Sequence, residues 1–390
     1  FTYDGKTDPS KLLLTLVNDD DVTVYLNGTR IFTKPCCAGE YIYSPLSAEA
    51  QKALRKGRNV LAVHCISPVG ESFVDVGIVS VVSTNQAVTA TQTKASVTAT
   101  QTEYVFTAGP VELEVNFLSP LLLDELEVVA RPVSYVTFST RSLDNKSHTV
   151  QVYFGESALI ATNTPSQEVV AETKQDGNLV YATVGTKEQP VLGKKGDNIR
   201  IDWGYAYLAV PEAGSRVLTG NPDQLKNEFK SKGQLSTSIT SGVAGDLAMA
   251  TVLNFGNVSG KKSSKHLLLG YDDVYSVQYF GQNLRGWWRR DPATTMVKTL
   301  QTAEGDYQRL RQKSTAFDKQ LYDDATKSGG KAYADLCQLA YRQAIAAHKI
   351  VAGPKGEVFF LSKENFSNGS IGTVDVTYPS APMFLLYNNE

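Results

Sequence analysis

The segment richest in groups that could do chemistry lies near the end of the chain, over residues 359–387. It carries two carboxylates, an amide and a phenol among glycines and prolines: Glu364, Asp375, Asn368 and Tyr378. Glycine lets the backbone approach a ligand closely, and two carboxylates in different surroundings can divide the roles of general acid and general base. We therefore predict an ordered loop with Glu364 or Asp375 facing a concavity. The alternative is a structured loop whose polar side chains satisfy turns.

Elements before this segment contribute further polar and aromatic candidates. Trp288 ends a predicted helix beside a second tryptophan, so one indole could stack on a ligand, although core packing of both is the alternative. Asp272 and Asp273 precede the same helix, where acids interact favourably with the helix dipole. His348 lies on an apolar helical stripe, which favours a hydrogen-bonded core histidine over a catalytic one.

The chain lacks the G-x-S-x-G, H-E-x-x-H and G-x-x-x-x-G-K-[ST] motifs of serine hydrolases, zinc proteases and phosphate loops. Its four cysteines form no C-x-x-C pair and its four histidines are scattered, so we predict neither a metal nor a cofactor. With 38 basic and 40 acidic residues the net charge is −2, which gives no reason to expect nucleic acid or an anionic membrane as a partner. The apolar runs are too short to span a bilayer.

The chain's 390 residues suit two or three domains, and the first, residues 1–84, is predicted to be a partial β-sandwich. Strand-like runs alternate with turn signals such as Asn27-Gly28, and Ser47 can cap a short helix. Residues 24–28 (V-Y-L-N-G) and 54–64 resemble the galactose-binding-like jelly rolls that accompany many secreted hydrolases. That resemblance implies that the first strands of the sandwich would precede residue 1.

A repeat separates this region from a second β-rich region. Residues 85–102 contain two copies of V-T-A-T-Q-T, which predict a linker or a strand pair rather than a solenoid. Residues 103–255 continue as β-structure, and residues 111–117 (V-E-L-E-V-N-F) alternate with a period of two. Many strands without intervening helices predict a large antiparallel β-sandwich.

The hydrophobic period becomes helical near residue 265. Three stripes predict three helices: Val274, Val277, Phe280, Leu284 and Trp287; Tyr307, Leu310, Ser314, Phe317 and Leu321; and Tyr333, Leu336, Ala340, Tyr341, Ala344 and His348. Residues 256–390 are therefore predicted to start an all-α domain. Three helices are too few to bury faces this broad, so we expect completion by further helices or by a second chain.

Longer motifs carry a family resemblance. They are residues 131–135 (R-P-V-S-Y), 271–280 (Y-D-D-V-Y-S-V-Q-Y-F), 339–344 (L-A-Y-R-Q-A), 363–369 (K-E-N-F-S-N-G) and 373–379 (T-V-D-V-T-Y-P). Together they resemble the glutaminase A family, whose members occur in fungi and gut-type bacteria. The resemblance implies a multidomain β plus α fold in which β-sandwiches precede an α-helical toroid of six hairpins, present here only in part. It also implies a secreted or periplasmic enzyme that hydrolyses L-glutamine to glutamate and ammonia.

Three functions follow as hypotheses. In a glutaminase-like amidohydrolase, Glu364 and Asp375 would act as acid and base while donors hold the oxyanion. The candidate substrate-binding residues are Arg342 and Lys349, for the substrate carboxylate, with Asn368, Tyr378 and Trp288. A carbohydrate-active glycoside hydrolase and a non-catalytic glycan-binding protein are the alternatives. Aromatics around a carboxylate pair about 5–10 Å apart would favour sugar chemistry, whereas a small pocket with an Arg or Lys clamp would favour glutamine.

Overall fold

The structure, a computed structural model, describes residues 1–36, 38–66, 73–80, 88–212, 215–236, 238–363 and 370–388. The chain divides into two compact units, Phe1–Ala87 and Val88–Glu390, and each is described by itself. No helix within the described ranges is long and apolar enough to cross a lipid bilayer.

The N-terminal unit contains two three-stranded antiparallel sheets and a two-stranded ribbon. Its strands are β1 (Thr2–Tyr3), β2 (Leu12–Asn18), β3 (Asp21–Leu26), β4 (Thr29–Lys34), β5 (Ala38–Pro45), β6 (Gly57–Arg58), β7 (Leu61–Ile66) and β8 (Val74–Ser80), and its helix is α1 (Ala48–Ala53). The sheet orders are β5-β2-β8 and β4-β3-β7, and β1 pairs with β6. The expected cap is present, because Ser47 Oγ accepts a hydrogen bond from the Ala50 amide over 3.2 Å.

The core of this unit follows from alternation along two strands. Leu12, Leu14 and Leu16 of β2 are buried, and the side chains between them are partly exposed. The three leucines pack with Val22 and Val24 of β3, which belongs to the other sheet. A period of two places these side chains on one face of each strand, so the two sheets bury a shared apolar layer.

The C-terminal unit is built around a nine-stranded antiparallel sheet. Its strands are β9 (Thr91–Val97), β10 (Gln101–Ala108), β11 (Val111–Leu118), β12 (Val133–Ser142), β13 (His148–Ser157), β14 (Glu168–Asp176), β15 (Leu179–Thr186), β16 (Tyr205–Val210), β17 (Val217–Gly220), β18 (Ser241–Val243), β19 (Ala248–Val258), β20 (Ser263–Asp272), β21 (Val277–Tyr279), β22 (Gln282–Leu284), β23 (His348–Ala352) and β24 (Val358–Ser362). The large sheet has the order β18-β14-β15-β16-β20-β12-β11-β10-β9, and β13-β19-β17 form a second sheet. The sequence repeat thus contributes a strand pair, β9 with β10.

A long helix covers the large sheet on the face opposite the second sheet. The helices of this unit are α2 (Leu126–Val129), α3 (Pro222–Lys232), α4 (Met296–Gly329), α5 (Lys331–Ala346) and α6 (Val374–Tyr387). On the central strand β12, Val136 and Phe138 pack in the sandwich core, whereas Tyr135 packs with Leu300 of α4. Both faces of β12 are therefore buried, which explains its successive apolar residues.

The stripe predicted for the second helix is confirmed in α4. Tyr307, Leu310, Ser314 and Leu321 are buried. The helix ends at Gly329–Gly330, where Gly330 has a φ of 81°, a backbone conformation that favours glycine. α5 then packs back against α4 through a shared apolar cluster, so the two helices form a hairpin.

The helix predicted over residues 274–287 is wrong. Strands β21 and β22 form a hairpin there, which pairs Val277 with Leu284. Val274 and Phe280 have φ values of 58° and 44°, which a right-handed helix does not allow. The apolar residues at helical spacing meet across a hairpin rather than along a helix.

The change of period near residue 265 also marks no boundary between sandwich and helices. Residues 263–272 form β20, which lies between β16 and β12 in the large sheet. The first long helix begins only at Met296. The segment predicted as helical from residue 256 therefore starts with a strand of the sandwich, because its apolar side chains are needed by the sheet.

The third predicted helix exists as α5, but of the predicted stripe on this helix only Tyr341 is among its buried residues. Its buried side chains are those of Ala334, Gln338, Tyr341 and Ile345, whereas the predicted stripe members Tyr333 and Leu336 are 47% and 61% exposed. His348 lies beyond the helix, at the start of β23. Spacing showed that a helix forms but not which side would meet α4.

Candidate functional site: a cationic cleft

A cleft of about 380 Å³ opens in the C-terminal unit. Its lining comes from the segment before β16, from hairpin β21–β22 and from the end of β24: Leu192, Gly193, Lys194, Lys195, Ile199, Arg200, Ile201, Trp203, Ser276, Val277, Gln278, Lys363 and Ile371. Four of these side chains are cationic and one is aromatic. Cavities of about 400 and 510 Å³ occur elsewhere in this unit, but the acids that line them are not buried.

Asp273 is the anchored carboxylate beside this cleft. It directly follows β20 and is 6% exposed. Lys349 Nζ, on β23, lies 2.7 Å from Asp273 Oδ2, and the Ser276 hydroxyl donates to the same oxygen over 2.7 Å. Among the described residues, none donates a hydrogen bond to Oδ1. One carboxylate oxygen is thus held by a cation and a hydroxyl, which leaves the other available.

The backbone that positions Asp273 is a strained turn clamped from two sides. Val274 has a φ of 58°, which is unfavourable for a β-branched residue. Trp203 Nε1 donates to the carbonyls of Asp273 and Tyr275 over 2.9 and 3.0 Å. Asp272 Oδ1 accepts from the Val274 amide over 2.9 Å. These contacts hold a conformation that the local sequence disfavours, and strain of this kind is typical of functional sites.

Arg289 fixes the other end of the same turn. Its NH1 donates to both carboxylate oxygens of Asp272 over 2.6 Å. Asp272 is 6% exposed, so this charge-assisted contact is shielded from water and is stronger than a surface pair. The two consecutive aspartates therefore have separate partners, Arg289 for the first and Lys349 for the second.

Lys363 places a half-buried ammonium at the cleft. Its backbone amide donates to the Ala347 carbonyl over 2.7 Å, which fixes the residue just after β24. No hydrogen bond or ion pair joins its ammonium to another side chain of the described residues. Burial lowers the pKa of the Lys363 ammonium, the charge of Lys349 lowers it further, and the Asp273 carboxylate opposes the shift. An anionic ligand would supply the missing counter-charge.

A second buried acid, Asp202, lies between the lining residues Ile201 and Trp203 in the sequence. Asp202 is fully buried, and its Oδ2 accepts hydrogen bonds from Lys194 and, over 3.0 Å, from Gln167 Nε2. Lys194 is therefore already paired, unlike Lys363. Within the described ranges, no three His, Cys, Asp or Glu side chains come together as a metal site.

The structure separates the predicted site residues. Lys349 belongs to the Asp273 cluster, as described. Glu364 and Asn368 lie outside the described residues, so their roles stay predictions. Asp375 and Tyr378 lie in the first turns of α6 and are exposed, Tyr378 by 79%. Neither lines the cleft, in contrast to the expected concave setting of Asp375, because α6 presents this side of its first turns to solvent.

Arg342, predicted to bind a substrate carboxylate, instead holds the β9–β10 turn. Its NH1 donates to the Thr98 carbonyl and the Thr102 hydroxyl over 3.2 and 2.9 Å. On the same turn, Asp318 of α4 accepts from the Thr98 hydroxyl and the Thr100 amide over 2.6 and 2.9 Å. The structure thus gives Arg342 a structural role, because carbonyl and hydroxyl oxygens of the turn occupy its guanidinium.

Trp288 and His348 lie in apolar surroundings. Trp288 is 7% exposed and packs in the cluster between the large sheet and α4, which agrees with core packing rather than with ligand stacking in the cleft. His348 Nδ1 donates to the Ala344 carbonyl over 2.6 Å, and its ring packs between Phe360 and Phe384. Burial lowers the pKa of His348, as expected for a neutral core histidine.

Sequence reasoning missed Asp273, Ser276 and Lys363 as a group. Asp273 was placed just before a predicted helix, where its charge had an explanation as a partner of the helix dipole, and Ser276 fell within that predicted helix. Lys363 begins the polar segment that was singled out, but its isolation from any counter-charge appears only in three dimensions. The adjacent acids of the Y-D-D-V-Y-S sequence were the one available signal.

Comparisons with known proteins place these residues in two matched regions. A family model described as "Domain of unknown function (DUF5127)" matches residues 100–324, and one described as "Glutaminase A six helical-hairpin domain" matches residues 330–390. Asp273 lies in the first region, and Lys349 and Lys363 lie in the second. The ion pair between Asp273 and Lys349 therefore joins the two matched regions.

Two curated proteins are similar in sequence. "Glutaminase A" of Aspergillus oryzae is 27% identical over 292 residues, which cover 72% of this chain and 41% of that protein. A probable glutaminase of Arthroderma benhamiae is 23% identical over 299 residues, which cover 71% of this chain and 34% of that protein. The chain thus spans about two fifths or less of the length of these relatives.

A solved structure is weakly similar in shape. It is a putative kojibiose phosphorylase from human microbiome, with a TM-score of 0.35, 11% identity, and coverage of 64% of this chain and 27% of that chain. A likeness this weak carries no argument about function.

Proposed function

The chain belongs to the glutaminase A family, and we propose that it contributes the substrate-binding cleft of an enzyme that hydrolyses the side-chain amide of L-glutamine. The observation that carries the proposal is the cluster of Asp273, Lys349 and Lys363 beside a cavity of about 380 Å³. Buried charges with specific partners beside a cavity are typical of functional sites.

The charge of the cleft supports an amino acid as substrate. The unpaired ammonium of Lys363 suits the α-carboxylate of glutamine, because a partly buried cation is stabilised by an opposite charge. Trp203 is the single aromatic side chain among the lining residues. Sugar-binding clefts use aromatic platforms and paired carboxylates, so no specific observation in the described cleft favours the glycoside hydrolase or glycan-binding alternatives.

Amide hydrolysis requires a base for water, donors for the oxyanion and an acid for the leaving ammonia. The free Oδ1 of Asp273 can accept a proton from water, and the ammonium group of Lys349 can stabilise the developing oxyanion. Glu364 directly follows Lys363 in the sequence and remains the proposed acid. Further helices of the hairpin domain, from the same or a second chain, would close the cleft. A secreted or periplasmic location is also part of the proposal.

A substrate screen tests the proposal. Ammonia release from L-glutamine and sugar release from a panel of glycosides are measured with the full natural protein. We expect ammonia release that saturates with glutamine, and a loss of about 100-fold or more in kcat for Asp273→Asn, with Asp246→Asn as an exposed control that keeps activity. Sugar release without ammonia release, or an Asp273→Asn variant with full activity, would contradict the proposal.

A further inference from the structure

We propose that the cleft binds L-glutamate more tightly than L-glutamine, so that the product of the proposed reaction inhibits its own formation. This inference rests on the proposed function, because it names glutamate as a product. Its physical basis is an excess of positive charge that a neutral amino acid cannot balance.

The cationic side chains of the cleft differ in their partners. Lys194 is paired with Asp202. Lys195, Arg200 and Lys363 also line the cleft, and no described side chain forms an ion pair with any of these three. Three cations without an ion pair among the described residues therefore line one cavity.

The nearby acids do not cancel this excess. Asp273, which accepts a hydrogen bond from the lining residue Ser276, is already paired with Lys349, and Asp202 is paired with Lys194. Asp197, on the same segment as Lys195, is exposed and is not among the lining residues. Among the described residues, the cleft thus keeps a local surplus of positive charge.

The two ligands differ in one charge at neutral pH. Glutamine carries one carboxylate and one ammonium, whereas glutamate has a second carboxylate in place of the amide. A second carboxylate can pair with Arg200 or Lys195 while the α-carboxylate pairs with Lys363. An additional ion pair at a partly exposed site corresponds to an affinity gain of about fivefold.

Calorimetric titration of the full natural protein measures this difference without turnover. The probes are L-glutamate, glutarate and L-methionine sulfone, whose uncharged side chain is similar in size to that of glutamine and cannot be hydrolysed. At low salt we expect glutamate and glutarate to bind about fivefold more tightly than the sulfone. High salt should reduce the ratio to less than about twofold, because screening weakens exposed ion pairs.

The variants Lys195→Gln and Arg200→Gln should lower the glutamate preference, whereas Lys261→Gln, an exposed lysine outside the cleft, should leave it unchanged. Equal affinities for glutamate and the sulfone at low salt would overturn the inference, even in a protein that hydrolyses glutamine. A clear glutamate preference in a protein that releases no ammonia would support charge-selective binding and overturn the proposed function instead.

Discussion

The Lys349 ammonium lies 2.7 Å from the Asp273 carboxylate and joins the sandwich to the strand pair that follows α5. The carboxylate side chain is 8% exposed and the lysine side chain 33% exposed. Burial of a charged side chain costs free energy unless an opposite charge accompanies it. The pair therefore connects two regions of the sequence at the candidate site.

Removal of this cation should destabilise the protein. For Lys349→Met we expect a loss of about 2 kcal/mol in the free energy of unfolding, below the usual range for fully buried pairs because the lysine is partly exposed. Urea unfolding at neutral pH measures it. Lys319→Met breaks a surface pair with Asp323 and should cost less than about 0.5 kcal/mol. Equal losses in the two variants would show that the Asp273 pair is no stronger than a surface contact.

Arg342 should matter for stability rather than for substrate binding. We expect Arg342→Met to lower the free energy of unfolding by about 2 kcal/mol, since the Thr98 carbonyl and the Thr102 hydroxyl lose a charged donor. KM for glutamine should stay within about twofold of the wild-type value. Thermal unfolding and steady-state kinetics test both parts, and a large rise in KM with unchanged stability would restore the substrate-binding role.

Glu156 should make stability fall as pH rises. Burial raises its pKa from 4.5 to about 7, and its Oε2 has no partner among the described residues. Between these values the unfolded chain releases the proton while the folded chain retains it, so stability is lost with rising pH. The loss is at most about 3 kcal/mol, since one pKa unit corresponds to about 1.4 kcal/mol.

The variant Glu156→Gln should therefore be more stable than the wild type at pH 8 and similar to it at pH 4.5. Urea unfolding at both pH values gives the difference. Glu188→Gln, at an exposed position, serves as the control and should show no such change. A constant difference between Glu156→Gln and the wild type across this range would mean that the carboxyl group titrates as it does in the unfolded chain.

Hydrophobic periodicity in the sequence predicted those strands and helices that bury a single face. The alternation of Leu12, Leu14 and Leu16 placed a buried strand correctly, and the stripe from Tyr307 to Leu321 placed the long helix. The hairpin over residues 277–284 was missed because Val277 and Leu284 have helical spacing but meet across a turn. The positive φ of Val274 depends in part on Trp203, which no local window around residue 274 includes.

The candidate site was predictable only in part for the same reason. Lys349 was selected for its charge, and the structure gives it the partner Asp273. Arg342 was selected on the same grounds, but a turn far away in sequence occupies its guanidinium. Charge identifies residues that can bind an anion, whereas the three-dimensional partners decide which of them remain unpaired.

The most direct test of the central claim is kcat/KM for ammonia release from L-glutamine by the wild type and by Lys363→Met. Lys363→Met removes the unpaired ammonium at the cleft, and we expect kcat/KM to fall by about 100-fold. The melting temperature should stay the same or rise, because the substitution removes a partly buried charge that has no partner. Lys261→Met should retain wild-type kinetics. Unchanged kcat/KM in folded Lys363→Met would contradict the assignment of this cleft as the glutamine site.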